Sequence, residues 1–265
     1  DSRMYNGEAL TNNGVTVGGD GFVAGEGAVY NVTGTITDAG KVANSFTYER
    51  NSNTNFDNYT ITKKEGTLEV TPVADKVTVT ITGNSATLPY SGSEQSVTGY
   101  DFKASNPLYK NGDFAFSGEA VAKGTNVGTY DMNLASEQFA NTSKNFSKVT
   151  FAVTDGTLTI TPKSIVPDPE NPKNTMSVDS PANVVYNGQD QTWTPVVKDG
   201  ERTLESGKDY TVEYSTADRT NATGKITVTI KGIGSYTGKV ERTYQITKRP
   251  VELKSEGGSK PYDGT

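Results

Sequence analysis

Two residue types are missing from this chain of 265 residues, which contains neither cysteine nor histidine. Their absence excludes disulfides, thiol nucleophiles, Cys/His zinc sites and histidine-based general acid–base catalysis. It leaves the compartment open, because an exported protein can also do without disulfides. Leucine is scarce, methionine occurs three times, and no stretch approaches the ~20 apolar residues of a transmembrane helix. A basic face is missing as well. The net charge of −6 divides into −4 for residues 1–72, −1 for 73–163, 0 for 164–249 and −1 for 250–265. Nucleic acid and anionic membrane are therefore poor partners for any part of the chain.

Glycine (28), tyrosine (14) and β-branched residues are plentiful, a composition that favours strands and turns. One signature keeps returning, a tyrosine, a small polar residue and glycine: Tyr5-Asn6-Gly7, Tyr90-Ser91-Gly92, Tyr186-Asn187-Gly188 and Tyr262-Asp263-Gly264. The tyrosines lie 85, 96 and 76 positions apart, the spacing of small domains and not of solenoid repeats. The stretches before the next signature also resemble one another. Asn58-Tyr59-Thr60-Ile61 leads to Gly66-Thr67-Leu68-Glu69-Val70-Thr71-Pro72, and Val149–Val153 leads to Gly156-Thr157-Leu158-Thr159-Ile160-Thr161-Pro162. Ser235-Tyr236-Thr237-Gly238 leads in the same way to Tyr244-Gln245-Ile246-Thr247-Lys248-Arg249-Pro250.

The reading is three mainly-β domains arranged end to end, each most simply an Ig-like sandwich, with a β-grasp-like sheet as the alternative. Their bounds are 1–72 (N-terminally truncated), 73–163 and 176–250, with a Pro-rich linker at 164–175 and a further truncated repeat beginning at 251–265. Asp1 lies just before one signature and Thr265 just inside another, so both ends read as cut from a longer protein and the missing signal peptide is uninformative. Strands are expected at Val15/Val17, 28–33, 46–48, 77–81, 130–134, 149–153, 210–214, 226–230 and 244–246 from their alternating apolar residues. Asp155-Gly156 gives a two-residue hairpin signal, its rival being a bulge within a longer strand. Residues 101–118 read as an insertion in the second domain, and 135–140 as the one place for a helical turn. Pro72, Pro162 and Pro250 are expected to stop the final strand of each domain.

The signatures, with Gly19-Asp20-Gly21-Phe22-Val23 and Val32-Thr33-Gly34 in the first domain and Asp209-Tyr210-Thr211-Val212 with Gly234–Gly238 in the third, resemble the MBG-type and YDG-type repeats of large bacterial surface adhesins. Lys260-Pro261-Tyr262-Asp263-Gly264-Thr265 is similar to the opening of a YDG-type repeat. The resemblance covers nearly all of the chain, and the second domain departs from it most. It implies a secreted, cell-surface protein in which such repeats form a stalk, and it supplies no catalytic residues.

The candidate site residues divide between chemistry and packing. Tyr5, Tyr90, Tyr186 and Tyr262 could stack on a ligand, but a ring repeated in every module is better read as packing beside a tight turn. Trp193, the only tryptophan, reads as core filling in preference to a sugar platform. The acids Asp20, Glu26 and Asp38, or Asp199, Glu201 and Glu205, lack the spacing of a calcium loop. An intramolecular isopeptide bond needs a buried lysine, an asparagine and a carboxylic acid, and no such set recurs at a shared position. The expectation is thus a non-enzymatic spacer projecting another domain from the bacterial cell surface. It needs no catalytic residue, cofactor or metal, does not insert in membrane, and is a monomer within a longer chain. Two alternatives stay open: repeats that themselves bind a host glycan or extracellular protein, and an accessory region of a surface enzyme.

Overall fold

The computed structural model describes residues 1–222 and 224–264; Thr265, at the edge of the fourth signature, lies outside them. Strands hold 42 % of the residues, about twice the usual share. The helical residues among those described form three single 3₁₀ turns, Phe56–Asn58, Asn111–Asp113 and Ser136–Gln138. The chain is therefore mainly β, and the last of these turns falls where the helical turn is expected. It divides into two compact units.

The first unit comprises Asp1–Ser85, Ser96–Ala122 and Asp131–Thr157. Here Gly66–Thr71 is the centre of a three-stranded sheet, parallel to Ser2–Met4 and antiparallel to Gly40–Asn44. Leu68 and Val70 point into a small core with Leu10. The hairpin of Ala28–Val32 and Phe46–Arg50 pairs Tyr30 with Tyr48 and Val32 with Phe46. Val15 and Val17 form no strand; they lie in a loop beside this hairpin, and Val17 is half exposed. Farther along, Val77–Gly83 runs between Val149–Thr154 (parallel) and Tyr100–Ala104 (antiparallel). Its Val77, Val79 and Ile81 are fully buried while the threonines alternate away from them, as a strand period of two requires.

The remaining expectations for this unit fare differently. Residues 101–118 are packed into the unit: Tyr109 and Phe114 are buried and stack on one another at a centroid distance of 6.4 Å. Asp155-Gly156 is not a hairpin, since the strands on either side of it, Val149–Thr154 and Thr157–Thr161, lie in different sheets. The Asp155 carboxylate instead accepts hydrogen bonds from the amides of Asn133, Leu134 and Gly156, each at 2.9 Å. That carboxylate holds Asn133 in the left-handed region (φ 60°), which breaks the strand expected at 130–134. Gly156 is required for a different reason, a close approach of backbones. A Cβ built on it would stand 2.4 Å from the Asn84 carbonyl oxygen, and one on Gly83 would stand 2.4 Å from the Gly156 nitrogen.

The second unit comprises Ala86–Gln95, Lys123–Tyr130 and the chain from Leu158 onward. Leu158 to Thr161 pair in parallel with Ala86 to Pro89. A four-stranded sheet runs in the order Val184–Val185, Lys239–Thr247, Lys225–Gly232, Tyr210–Tyr214. The first pair is parallel and the others antiparallel. Ile226, Val228 and Ile230 are fully buried, with Tyr244 and Ile246 on the adjoining strand. A separate antiparallel sheet contains Met176–Val178, Val197–Asp199 and Arg202–Thr203. In the stretch expected as a linker, Ile165 is fully buried and the Asn174 side chain donates to the Val166 carbonyl at 3.0 Å.

Because backbone atoms, not a flexible side chain, meet the added carbon, Gly156→Ala is expected to lower the stability of the chain by about 2–4 kcal/mol. Gly18→Ala, whose Cβ meets nothing within 4 Å, is expected to change it little. Urea denaturation of the two variants checks this; equal midpoints would show that the two backbones part at no cost.

Candidate interaction site

Each of the first three signatures is built by the same bonds. The amides of Tyr5, Tyr90 and Tyr186 donate to the carbonyls of Thr71, Thr161 and Thr247 at 2.8, 2.8 and 2.9 Å. Each threonine hydroxyl points back to the carbonyl two residues before its tyrosine, on Arg3, Leu88 and Val184, at 3.2–3.4 Å. Those distances are long for O–H···O, so the amide bonds carry most of the hydrogen-bond energy. The small polar residue then turns the chain. Asn6, Ser91 and Asn187 accept from the amide two residues on, at 3.0, 3.3 and 2.9 Å. Gly7, Gly92 and Gly188 follow at φ 83°, 79° and 80°, where a Cβ is disfavoured. Gly264 of the fourth signature has the same φ, 71°, although residues 248–264 form no strand.

The rings fare differently from the turns. Tyr90 is buried (9 % exposed), Tyr5 is half-buried, Tyr186 is 36 % exposed and Tyr262 is 96 % exposed. The expectation of four buried rings is thus met at Tyr90 and corrected at Tyr186 and Tyr262. What covers the first two is an aromatic from the segment that follows. Tyr5 meets Phe146 edge to face, centroids 5.7 Å apart and planes at 78°. Tyr90 meets Tyr236 at 5.6 Å and 81°. Such pairs are worth about 0.5–1.5 kcal/mol beyond the area they bury. A second side chain lies over the glycine of each of these two signatures: the Leu108 methyl is 3.2 Å from a Cβ built on Gly7, and the Arg202 guanidinium 3.6 Å from one on Gly92. Arg202 also donates to the Tyr90 hydroxyl at 3.3 Å and pairs with Asp209 at 3.5 Å.

The prolines sit between these two features. Thr71 bonds the signature tyrosine, and two residues later the Val73 amide donates to the Asn145 carbonyl at 2.9 Å. Thr161 and Lys163 do the same with Tyr90 and with the Ser235 carbonyl at 3.0 Å. Pro72 and Pro162 therefore stop the strands Gly66–Thr71 and Thr157–Thr161, as expected, and mark the step after which the chain takes up a new pairing partner. A residue with no N–H suits the step at which neither ladder is served. Lys248 takes that position in the third segment, with Pro250 two residues farther on, so Arg249-Pro250 is not equivalent to Thr71-Pro72 and Thr161-Pro162.

The remaining candidates are dispersed. Glu26 accepts from the Tyr59 hydroxyl at 2.6 Å and Asp38 from the Asn145 amide at 3.1 Å, while Asp20 is exposed. Glu205 pairs with Lys208 at 3.3 Å, and Glu201 is exposed. Asp199 pairs with Lys163 at 2.6 Å and accepts from Tyr236 and Thr175. Among the described residues no group of three or more acids is placed to hold a metal ion. Trp193 is half-buried in a loop, its carbonyl accepting from Tyr214 at 2.8 Å. A cleft of about 420 Å³ lies beside the first hairpin, with Phe22, Tyr30, Phe46, Tyr48 and Tyr59 among its walls. Its aromatic faces are chemically suited to a flat apolar or sugar ring.

Sequence reasoning missed Phe146, Tyr236, Leu108 and Arg202. A signal for the first two was present in the triplets Asn58-Tyr59-Thr60, Asn145-Phe146-Ser147 and Ser235-Tyr236-Thr237, each a polar residue, an aromatic and a hydroxyl. Leu108 sits in a turn and Arg202 on a short strand, with no shared pattern around them, and they left none.

The fold and this closure define a mainly-β chain whose segments are finished in a common way. Residues 68–162 match the family model of the MBG domain. The match falls on the segment with Ser91 in its signature, the one that departs most from the resemblance seen in the other two. No curated protein matches the chain.

Burial, and then the nearby Asp199 carboxylate, push the Tyr236 hydroxyl up to about 12; burial and Asp113 do the same for Tyr109. A folded-state pKa raised above the unfolded 10.0 contributes stability that is fully present below pH 10.0 and is lost as pH climbs toward 12. Urea midpoints are accordingly expected to fall steeply in that window, and Tyr109→Phe with Tyr236→Phe is expected to flatten the fall. An unchanged slope in the double variant would contradict the assignment.

Proposed function

We propose that the chain is a non-catalytic spacer from a secreted bacterial surface adhesin, formed by MBG-type modules in tandem at 1–72, 73–163 and 176–250, with the opening of another at 251–265. Each module is read as a two-sheet, Ig-like sandwich. The observation that carries this is the recurrence of one closure, tyrosine amide on threonine carbonyl, at three places 85 and 96 residues apart. The MBG match at 68–162 supports the module type, and the resemblance of the signatures to adhesin repeats supports the setting. The proline step adds the mechanical element. A strand that leaves one sheet and enters the next within two residues gives little slack between modules, which a spacer needs in order to project what it carries.

A spacer must have reach, so small-angle scattering of the chain is expected to give a radius of gyration of roughly 30 Å. A single globule of this length would give about 18 Å. A value near the lower figure would overturn the spacer reading.

A further inference from the structure

Tyr186 has the backbone of a signature tyrosine and lacks its cover. Its amide is bonded to Thr247 as Tyr5 is to Thr71 and Tyr90 to Thr161. Yet Tyr186 is 36 % exposed against 9 % for Tyr90, and beside it Val185 is 51 % exposed. A Cβ built on Gly188 meets only the Tyr186 hydroxyl, at 3.9 Å, where Gly7 and Gly92 meet a side chain from the segment after them. Beyond Thr247, Val251 and Leu253 alternate like Val77 and Val79 but are 75 % and 92 % exposed, whereas Val77 and Val79 are buried.

We propose that the Tyr186 face is the docking site for a further β module of the same type, following directly in the same polypeptide. The occupant is specified by the two junctions already formed. Its strand pairs in parallel with Arg249, as Phe146 bridges in parallel to Val73 and the strand of Tyr236 pairs with Lys163. Its polar-aromatic-hydroxyl triplet sets one ring edge-on against Tyr186, and a loop side chain covers Gly188. The inference rests on the tandem reading proposed above. It adds that successive modules are held by a specific aromatic contact as well as by the covalent chain.

The test is a chain in which residues 72–163 are repeated directly after Thr247, so that Tyr186 remains unique while a second Phe146 is supplied. Tyrosine nitration by tetranitromethane, mapped by peptide mass spectrometry, reads the exposure of Tyr186. It is expected to be about tenfold slower than in the parent chain, and restored to the parent rate by Phe146→Ala in the added copy alone. Nitration of Tyr186 at the parent rate in the extended chain overturns the docking face. So does an added copy that stays unfolded, seen as nitration of half of the otherwise buried Tyr109 side chains. Scattering on the same sample separates the two readings. Protection of Tyr186 with a compact particle sinks the spacer and keeps the docking, whereas an extended particle with Tyr186 open does the reverse.

Discussion

The structure depends on a parallel pairing between the start and the end of each segment, fixed by a tyrosine amide on a threonine carbonyl. Bringing two points some 65 residues apart together costs about 4 kcal/mol beyond a constant, and a net hydrogen bond returns only about 1 kcal/mol. The bonds therefore set the register and do not hold the closure by themselves. The hold comes from the residues one and three before each threonine: Val70 and Leu68, Ile160 and Leu158, Ile246 and Tyr244, all at or below 2 % exposure. Burying each contributes about 1.5–3 kcal/mol. Two such residues per segment contribute about 3–6 kcal/mol, the same order as the loop cost.

Much else follows from where that strand goes next. In the first two segments the strand ends at its threonine, and the chain steps over a residue without an amide hydrogen and pairs anew two positions on. The step fixes which aromatic lies next to which tyrosine. That is why the Tyr5–Phe146 and Tyr90–Tyr236 pairs share a geometry, although one partner is a phenylalanine and the other a tyrosine bonded to Asp199.

The sequence showed the period, the signature and most strands, because alternation and glycine turns are local. Val77–Gly83 and Lys225–Gly232 lie where their alternating residues put them. Long-range pairing was not legible. Asp155-Gly156 has the chemistry of a hairpin turn, but its partner is Asn84, more than seventy residues earlier, and the glycine serves close approach. Pro72 and Pro162 do end their ladders, as a missing N–H requires, but nothing local reveals that a second pairing begins two residues later. The interaction site was half visible. The tyrosines declared themselves by repetition, while the exposure of Tyr186 depends on a neighbour that no residue of its own signature encodes.

The central claim, that signature tyrosines close each segment through one amide bond, is tested most directly by native-state hydrogen exchange resolved to single residues. The amides of Tyr5, Tyr90 and Tyr186 should all exchange as slowly as the buried strand amides around them, Tyr186 included despite its exposed ring. Fast exchange at these three positions, beside slow exchange in Gly66–Thr71, Thr157–Thr161 and Lys239–Thr247, would show that the closing strands are only laid against the sheets, and would contradict the account.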